Sequence, residues 1–138
     1  MSLVIDASLT MAWYFEDEST PATDALLDRV TDTGATVPGL WRLEVANAFQ
    51  TAIRRQRIDA VYRDASLAEL TLMPITIDAD TNSYAWSATL RLAERFSLTV
   101  YDAAYLELAQ RHSLPLATLD RDLRAAAPAL NVELLGMA

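Results

Sequence analysis

Short apolar runs alternate with longer helical patterns along this chain. The first run, LVI at 3–5, is rich in β-branched residues and ends at Asp6, as a buried strand of a parallel sheet does. Similar runs recur after intervals long enough to hold one or more helices. The pattern predicts five strands, at 3–5, 35–38, 74–78, 114–119 and 132–135.

The intervening segments repeat their apolar residues at helical spacing. The segment 40–56 is the clearest case, with one face formed by Trp41, Val45, Ala48, Phe49, Ala52 and Ile53. Ser8 is predicted to be the N-cap of the first helix. A single long helix is predicted to begin at Asp80 or Thr81 and to run through Phe96.

Strands that alternate with helices indicate a parallel sheet with helices on both faces. The chain has 138 residues, of which 52% are apolar, so it can bury a core of ordinary size. It contains no internal repeat, low-complexity tract or linker. We therefore expect one α/β domain over residues 1–138.

Composition removes several kinds of chemistry. The chain has no Cys, one His and no Lys, so all 11 basic residues are Arg. Thiolate nucleophiles, Schiff-base lysines, P-loop lysines and multi-histidine metal sites are therefore excluded. The formal net charge of −8 argues, as a total, against nucleic acid as a partner. Carboxylates and hydroxyls remain as the groups that can carry chemistry.

The N-terminus, MSLVIDAS, lacks the basic segment of a signal peptide, and Asp6 interrupts its apolar run. The longest stretch without a charged residue, 81–90, is half the length of a membrane span, which needs about 20 residues. We expect a soluble, cytoplasmic protein that does not contact a membrane.

Acidic residues occur where the ends of the predicted strands meet. Asp6 ends the first strand, Asp120 ends the fourth, Asp102 opens a helix, and Glu44 lies in an apolar helix. Each has an ordinary explanation alone: a helix cap, a dipole partner or a solvated side chain. Two carboxylates about 4 Å apart repel by roughly 4 kcal/mol at an effective dielectric near 20, so a cluster requires a cation. Mg²⁺ or Mn²⁺ suits oxygen ligands best.

Four motifs in this order resemble the PIN-domain family, and specifically the VapC toxins of bacterial toxin–antitoxin pairs. They are VIDASL, LWRLEVANAF, YDAAYLELAQ and LATLDRDL, and the resemblance covers about residues 3–135. Each motif alone is weakly specific, whereas four in order are strongly so.

The resemblance implies a three-layer fold whose small parallel sheet has the order 3-2-1-4-5. It implies an endoribonuclease that uses Mg²⁺ or Mn²⁺, inhibits translation and growth, and leaves 3′-hydroxyl and 5′-phosphate ends. Asp6 and Asp102 would be the firmest metal ligands, and Glu44 and Asp120 would complete the site directly or through water. Asp120 is preferred over Asp122 because it lies nearer the strand end.

Further roles are implied by the same resemblance. Ser8, Asn47 and Thr118 would orient the acids or the substrate. The implied partners are a structured RNA such as a tRNA or an rRNA, a cognate antitoxin that inserts an Arg into the acidic groove, and a second copy of the chain. The aromatic run at 13–15 either contributes to such an interface or packs beneath a neighbouring helix.

The basic residues are concentrated in one segment. Residues 42–63 hold five arginines against two acids, whereas the flanking segments are both acidic. RNA contacts are therefore assigned to Arg42, Arg54, Arg55 and Arg57; the alternative is a solvated helix end that complements the helix dipole.

Two other functions compete with the nuclease. One is a binding module that keeps the fold without the chemistry, and the other is a different Mg²⁺-dependent phosphoesterase. Haloacid-dehalogenase-like enzymes need D-x-D-x-T and a lysine, but Asp6 is followed by Ala-Ser-Leu-Thr and the chain has no lysine. Receiver domains are disfavoured because they also need a lysine.

Overall fold

Five short parallel strands lie side by side in the centre of the computed structural model, which describes residues 2–137. Their order across the sheet is β3-β2-β1-β4-β5, as expected. All four neighbouring pairs are parallel. The strands are β1 (Val4–Ile5), β2 (Ala35–Val37), β3 (Ile75–Ile77), β4 (Leu116–Ala117) and β5 (Leu134–Leu135).

The connections between the strands are helical, which confirms the predicted α/β class. Short 3-10 turns at Glu16–Glu18 and Ala127–Leu130 supplement the α-helices. Within the described residues, no helix has the length and apolar character needed to cross a bilayer. The helices are α1 (Ala7–Ala12), α2 (Pro21–Thr33), α3 (Trp41–Arg54), α4 (Ala60–Leu72), α5 (Thr81–Tyr84), α6 (Ala88–Phe96), α7 (Val100–His112) and α8 (Arg121–Ala126).

The prediction that Ser8 caps the first helix is wrong, because Asp6 is the N-cap. Asp6 has an extended backbone (φ −102°, ψ −180°), and its carboxylate accepts a hydrogen bond from the N–H of Leu9. The strand therefore leads directly into the helix, and Ser8 already lies in the first helical turn. A cap residue needs an extended backbone, which the last residue of a strand has by default.

The predicted long helix from residue 80 to residue 96 is also wrong, because the chain breaks between α5 and α6 around Ser87 (φ −123°, ψ −98°). The two segments have different partners. Thr81 in α5 accepts a hydrogen bond from the Gly39 N–H, while Leu92 and Ala93 of α6 are buried where α6 packs on α7. A continuous helix would not satisfy both sets of contacts.

The core is densest around β1 and α7. Val4 and Ile5 are completely buried, and every residue from Ala103 to Ala109 of α7 is buried. The central turns of α7 are therefore held firmly in the core, and Asp102 lies directly before this buried stretch. Two residues of the aromatic run at 13–15 pack against α3 of the same domain. Phe15 is buried, and the rings of Tyr14 and Phe15 both meet the Phe49 ring edge-on.

Candidate acidic active site

Asp6 is held at the carboxyl end of β1 by three hydrogen bonds. Its Oδ1 accepts from the Ser8 hydroxyl (2.7 Å) and from the Leu9 N–H (2.9 Å), and its Oδ2 accepts from the Thr118 hydroxyl (2.5 Å). The side chain is almost wholly buried. Burial raises the pKa of Asp6 above its ordinary value, and the three hydrogen bonds oppose that rise.

Thr118 and Ser8 join the end of β4 to the end of β1. Thr118, just after β4, is fully buried, and its hydroxyl also accepts from the Asp120 N–H (3.0 Å). The Ser8 hydroxyl accepts from the Leu119 N–H (3.0 Å). Asp120 in turn caps α8 by accepting from the Leu123 N–H (2.9 Å). The two strand ends are thus fastened together by side chains that also orient Asp6.

Asp102 lies in the first turn of α7, whose N-cap is Thr99. Its side chain is half-buried, and a hydrogen bond with the Thr99 side chain acts to lower its pKa. Burial, followed by the negative charges of Asp120, Glu44 and Asp6 in that order, nevertheless raises the pKa of Asp102 to about 6. The carboxylates of Asp6, Glu44 and Asp120 therefore all lie near enough to Asp102 to raise its pKa.

Glu44, in the first turn of α3, completes the cluster. Its Oε1 accepts a hydrogen bond from the Tyr105 hydroxyl (2.6 Å). Burial, followed by the Glu44 carboxylate, raises the pKa of Tyr105 far above its ordinary value, so the phenol stays protonated as a donor. The sequence reasoning missed Tyr105. Its only signal was its position three residues after Asp102, which puts both on one face of α7.

The structure brings Asp6, Glu44, Asp102 and Asp120 together at one edge of the sheet. None of them forms an ion pair within the described chain. In the same residues, no three acidic or imidazole side chains are already close enough to ligate one ion. Carboxylates without a protein cation nevertheless match the oxygen-ligand preference of a hard divalent cation. The donor set fits Mg²⁺ or Mn²⁺ chemically.

The other predicted residues separate into those near the cluster and those away from it. Ser8 and Thr118 contact Asp6 directly, whereas Asn47 is exposed and makes no side-chain hydrogen bond in residues 2–137. Asp122 is exposed and does not act on Asp102, whereas the half-buried Asp120 does. The geometry therefore favours Asp120 for the fourth acidic position.

The four predicted RNA-binding arginines are not equivalent. Arg57 binds Asp17 and Glu18 and stacks on Phe15 with its Cζ 4.4 Å from the ring centroid. Arg42 lines a separate apolar groove between α3 and α4. Arg54 donates to the Thr51 hydroxyl (3.3 Å). Arg42 and Arg55 are both exposed with no ion pair or side-chain hydrogen bond to any described residue, but of these two only Arg55 lines the groove beside Ser8.

A groove of about 310 Å³ is lined by two of these arginines, Arg55 and Arg57, and by Ser8. Ala48 and Thr51 of α3 also line it. The four acids do not line the groove, but the Ser8 hydroxyl binds Asp6, so one lining residue contacts the cluster. Glu18 and Arg57, which are paired with each other, also line it.

The fold and the site define a class: a parallel α/β domain in which the end of β1, helices α3 and α7, and the end of β4 each contribute one carboxylate to an acidic cluster. The family model described as PIN domain matches residues 3–128. The chain belongs to the PIN-domain family, which confirms the resemblance drawn from its four motifs.

Particular relatives narrow the comparison. The chain is 30% identical over 130 residues to Ribonuclease VapC3 of Pyrobaculum aerophilum, covering 94% of this chain and 98% of that protein. It is 32% identical over 106 residues to Ribonuclease VapC3 of Mycobacterium tuberculosis, covering 75% and 73%. The chain is therefore similar to ribonucleases named VapC over nearly its whole length.

Solved structures share the fold at lower identity. PAE2754 from Pyrobaculum aerophilum has a TM-score of 0.70 at 24% identity, covering 97% of this chain and 83% of that one. VapBC2 from Rickettsia felis, bound to a DNA fragment from its promoter, has a TM-score of 0.63 at 11% identity, covering 97% of both chains. FitAcB from Neisseria gonorrhoeae has a TM-score of 0.58 at 16% identity, covering 99% and 97%.

Proposed function

We propose that this protein is a metal-dependent endoribonuclease of the VapC type, a toxin that hydrolyses RNA phosphodiester bonds and is neutralised by a cognate antitoxin. The observation that carries the proposal is the convergence of Asp6, Glu44, Asp102 and Asp120, with no protein cation to balance them. The similarity to ribonucleases named VapC supports RNA as the substrate.

The four carboxylates would hold Mg²⁺ or Mn²⁺, with Asp6 and Asp102 as the firmest ligands and Glu44 and Asp120 binding directly or through water. When bound, such an ion polarises the scissile phosphate and lowers the pKa of its water ligand. The carboxylates must be ionised for this, and a divalent ion lowers their pKa values by its own charge. The chain therefore supplies the negative charge that binds the ion, and the positive charge of the ion allows the RNA phosphate to approach the carboxylates.

The protein's own groups orient the reaction. Ser8 and Thr118 fix the direction of the Asp6 carboxylate through hydrogen bonds to both of its oxygens. Cleavage through the RNA 2′-hydroxyl ordinarily needs a pair of acid–base groups, and the single His112 instead lies 4.0 Å from Asp78 at the end of α7. Water-mediated hydrolysis that leaves 3′-hydroxyl and 5′-phosphate ends fits this set of residues better.

The path of the RNA strand is proposed to follow the groove from Ser8 to Arg55. Arg55 lies eleven residues after Glu44 on α3 and its cap, which is a rise of about 16 Å. An exposed guanidinium at that distance is able to bind a phosphate that lies a few nucleotides from the scissile bond. Arg57 is less available because it is already paired with Asp17 and Glu18.

The partners follow from the same proposal. A structured RNA such as a tRNA or an rRNA is the substrate, and cleavage in the cytoplasm would stop translation and growth. The VapBC2 and FitAcB complexes support an antitoxin partner, whose Arg would enter the acidic cluster, where no arginine of the described chain is paired. A homodimer completes the proposed assembly.

The test compares Asp6→Asn with the matched control Asp122→Asn. We expect cleavage of a mixed RNA substrate in Mn²⁺ or Mg²⁺ by the wild type and by the control, but a loss of at least 100-fold in Asp6→Asn. The Asn keeps the side-chain size and removes a buried charge, so Tm should not fall. Excess EDTA should abolish wild-type cleavage. Full activity of Asp6→Asn, or cleavage in EDTA, would contradict the proposal.

The binding-module alternative makes the opposite prediction. Such a protein would bind neither Mn²⁺ nor Mg²⁺ in a calorimetric titration and would cleave no RNA in either metal. Expression without the antitoxin separates the two at the cellular level, because only the nuclease should arrest growth, and the arrest should disappear with Asp6→Asn.

A further inference from the structure

Glu44 is the member of the acidic cluster whose position depends most on one contact. Its half-exposed side chain lies in the first turn of α3, a helix whose N-cap makes no side-chain hydrogen bond. Its one side-chain partner in the described structure is the hydroxyl of Tyr105. We propose that Tyr105 is a positioning residue that holds the Glu44 carboxylate in the metal-binding centre, an inference that rests on the proposed metal-dependent function.

Tyr105 is well suited to hold a flexible side chain in place. Its ring is 1% exposed and lies between buried neighbours on α7, so it has almost no freedom to move. A glutamate has three rotatable side-chain bonds, and at a half-exposed position it would otherwise sample several rotamers. The 2.6 Å hydrogen bond from a rigid phenol selects one of them.

The contact also joins two elements that carry metal-binding acids. Tyr105 lies three residues after Asp102, so the two side chains lie on one face of α7. Helix α7 therefore contributes its own carboxylate and orients the one from α3. The phenol binds Oε1 of Glu44, and Oε2 accepts no hydrogen bond from the described residues.

The Tyr105 phenol orients Glu44 without adding a positive charge to the acidic cluster. An arginine in the same place would orient Glu44 equally well, but its positive charge would offset the carboxylates and compete with a bound metal ion. A neutral hydroxyl fixes the direction of the carboxylate and leaves the negative charge of the cluster intact.

The test measures the Mn²⁺ affinity of the RNA-free protein by electron paramagnetic resonance of the free ion. We expect Tyr105→Phe to weaken binding by about tenfold, because loss of a residue that orients a ligand costs 10- to 100-fold in metal affinity. Phe keeps the buried ring, and water can reach the half-exposed Glu44, so Tm should change by only a few degrees. Tyr62→Phe is the matched control: its hydroxyl donates to the Tyr14 carbonyl, and its removal should leave Mn²⁺ affinity unchanged.

A double-mutant cycle with Glu44→Ala separates positioning from general packing. If Tyr105 acts through Glu44, adding Tyr105→Phe to Glu44→Ala will not weaken Mn²⁺ binding any further. An equal loss in both backgrounds, or unchanged affinity in the single variant, would overturn the inference and leave the proposed function standing. If the wild type itself binds no Mn²⁺, the proposed function fails first.

Discussion

Asp6 performs two tasks with one side chain. It caps α1 through the Leu9 N–H, and it belongs to the acidic cluster. Each task alone is common for an aspartate after a strand, so the cap does not reveal the second role. What distinguishes it is that Ser8 and Thr118 also donate to the carboxylate from two different segments. A side chain that only capped a helix would not need these donors.

The raised pKa of Asp102 predicts a pH-dependent stability difference. A folded pKa of about 6 lies above the ordinary 3.8, so the ionised form destabilises the metal-free fold. Asp102→Asn should therefore be more stable than the wild type in EDTA, by about 2 kcal/mol at pH 7.5 and roughly half that at pH 5. Urea denaturation at both pH values checks this.

Manganese provides the control for that experiment. Saturating Mn²⁺ should stabilise the wild type and reverse the order of the two proteins at pH 7.5, because only the ionised carboxylate binds the ion. A pH-independent difference in EDTA would show that the Asp102 charge does not strain the fold.

At the level of elements, strands of two or three residues depend on accurate turns. Gly34 ends α2 and leads directly into β2 with a φ of +83°, which L residues rarely adopt. A Cβ there would meet the Pro74 carbonyl oxygen at 2.8 Å. That carbonyl accepts from the Ala35 N–H where β2 and β3 begin to pair. The turn therefore helps to set the register of the sheet.

Gly34→Ala should lower the free energy of unfolding by about 1–3 kcal/mol, because both the backbone and the close approach become strained. Gly39→Ala is the matched control, since its Cβ would meet Thr81 at an ordinary 3.7 Å. Thermal unfolding of the two variants measures the contrast. Equal effects at both glycines would refute the role of the turn.

An ion-pair network fastens β3 to α7. Arg111 Nη2 lies 2.6 Å from Asp78 Oδ2, and Arg111 Nε lies 2.7 Å from Glu107 Oε2, with all three side chains largely buried. Hydrogen bonds from Arg111 lower the pKa of Asp78. This network lies outside the acidic cluster, and its role is structural: it connects the chain after β3 to the helix that carries Asp102.

Asp78→Asn should cost about 2–4 kcal/mol in the free energy of unfolding at pH 7, because a largely buried arginine loses one of its two partners. Asp64→Asn, which breaks the exposed pair with Arg63, should cost under about 1 kcal/mol. Since the folded pKa of Asp78 is lowered, its stabilisation is present above 3.8 and is lost as the pH falls below that value. Denaturation between pH 7 and pH 3 should show the Asp78→Asn difference shrinking in acid.

Across the whole molecule, the arrangement of charge matters more than its total. The net charge of −8 suggests a poor RNA binder, but four of the acids converge where a metal ion would offset them. Ser8, which binds Asp6, and Arg55 line the same groove, and Arg55 is exposed with no ion pair within the described structure. RNA binding would then depend on few arginines and on the bound metal.

Arg55→Ala should therefore raise KM for an RNA of six or more nucleotides about three- to tenfold, while leaving the cleavage of a dinucleotide unchanged. Arg91→Ala removes an equal charge from an exposed site on α6 that does not line the groove, and it should have little effect. Steady-state kinetics with both substrates check the prediction. A similar loss in both variants would indicate a general electrostatic effect.

Much of this protein could be predicted from its sequence. The period of its apolar residues indicated a parallel α/β domain, and Asp6 and Asp120 marked the ends of two strands. Both signals are local, because they depend only on residues that are neighbours in the sequence. The motifs VIDASL and LATLDRDL indicated the family before any contact was known. Local signals were less accurate at element boundaries, where Asp6 replaced Ser8 as the cap and the helix broke at Ser87.

Only the tertiary structure decided how distant side chains meet. It paired Tyr105 with Glu44 across 61 positions, and it left Arg55 exposed while Arg57 binds Asp17. These outcomes depend on the direction of each side chain after packing, and no periodic pattern encodes that direction. The sequence by itself determined which residue types could perform chemistry, and the fold determined which of them lie close enough together to perform it.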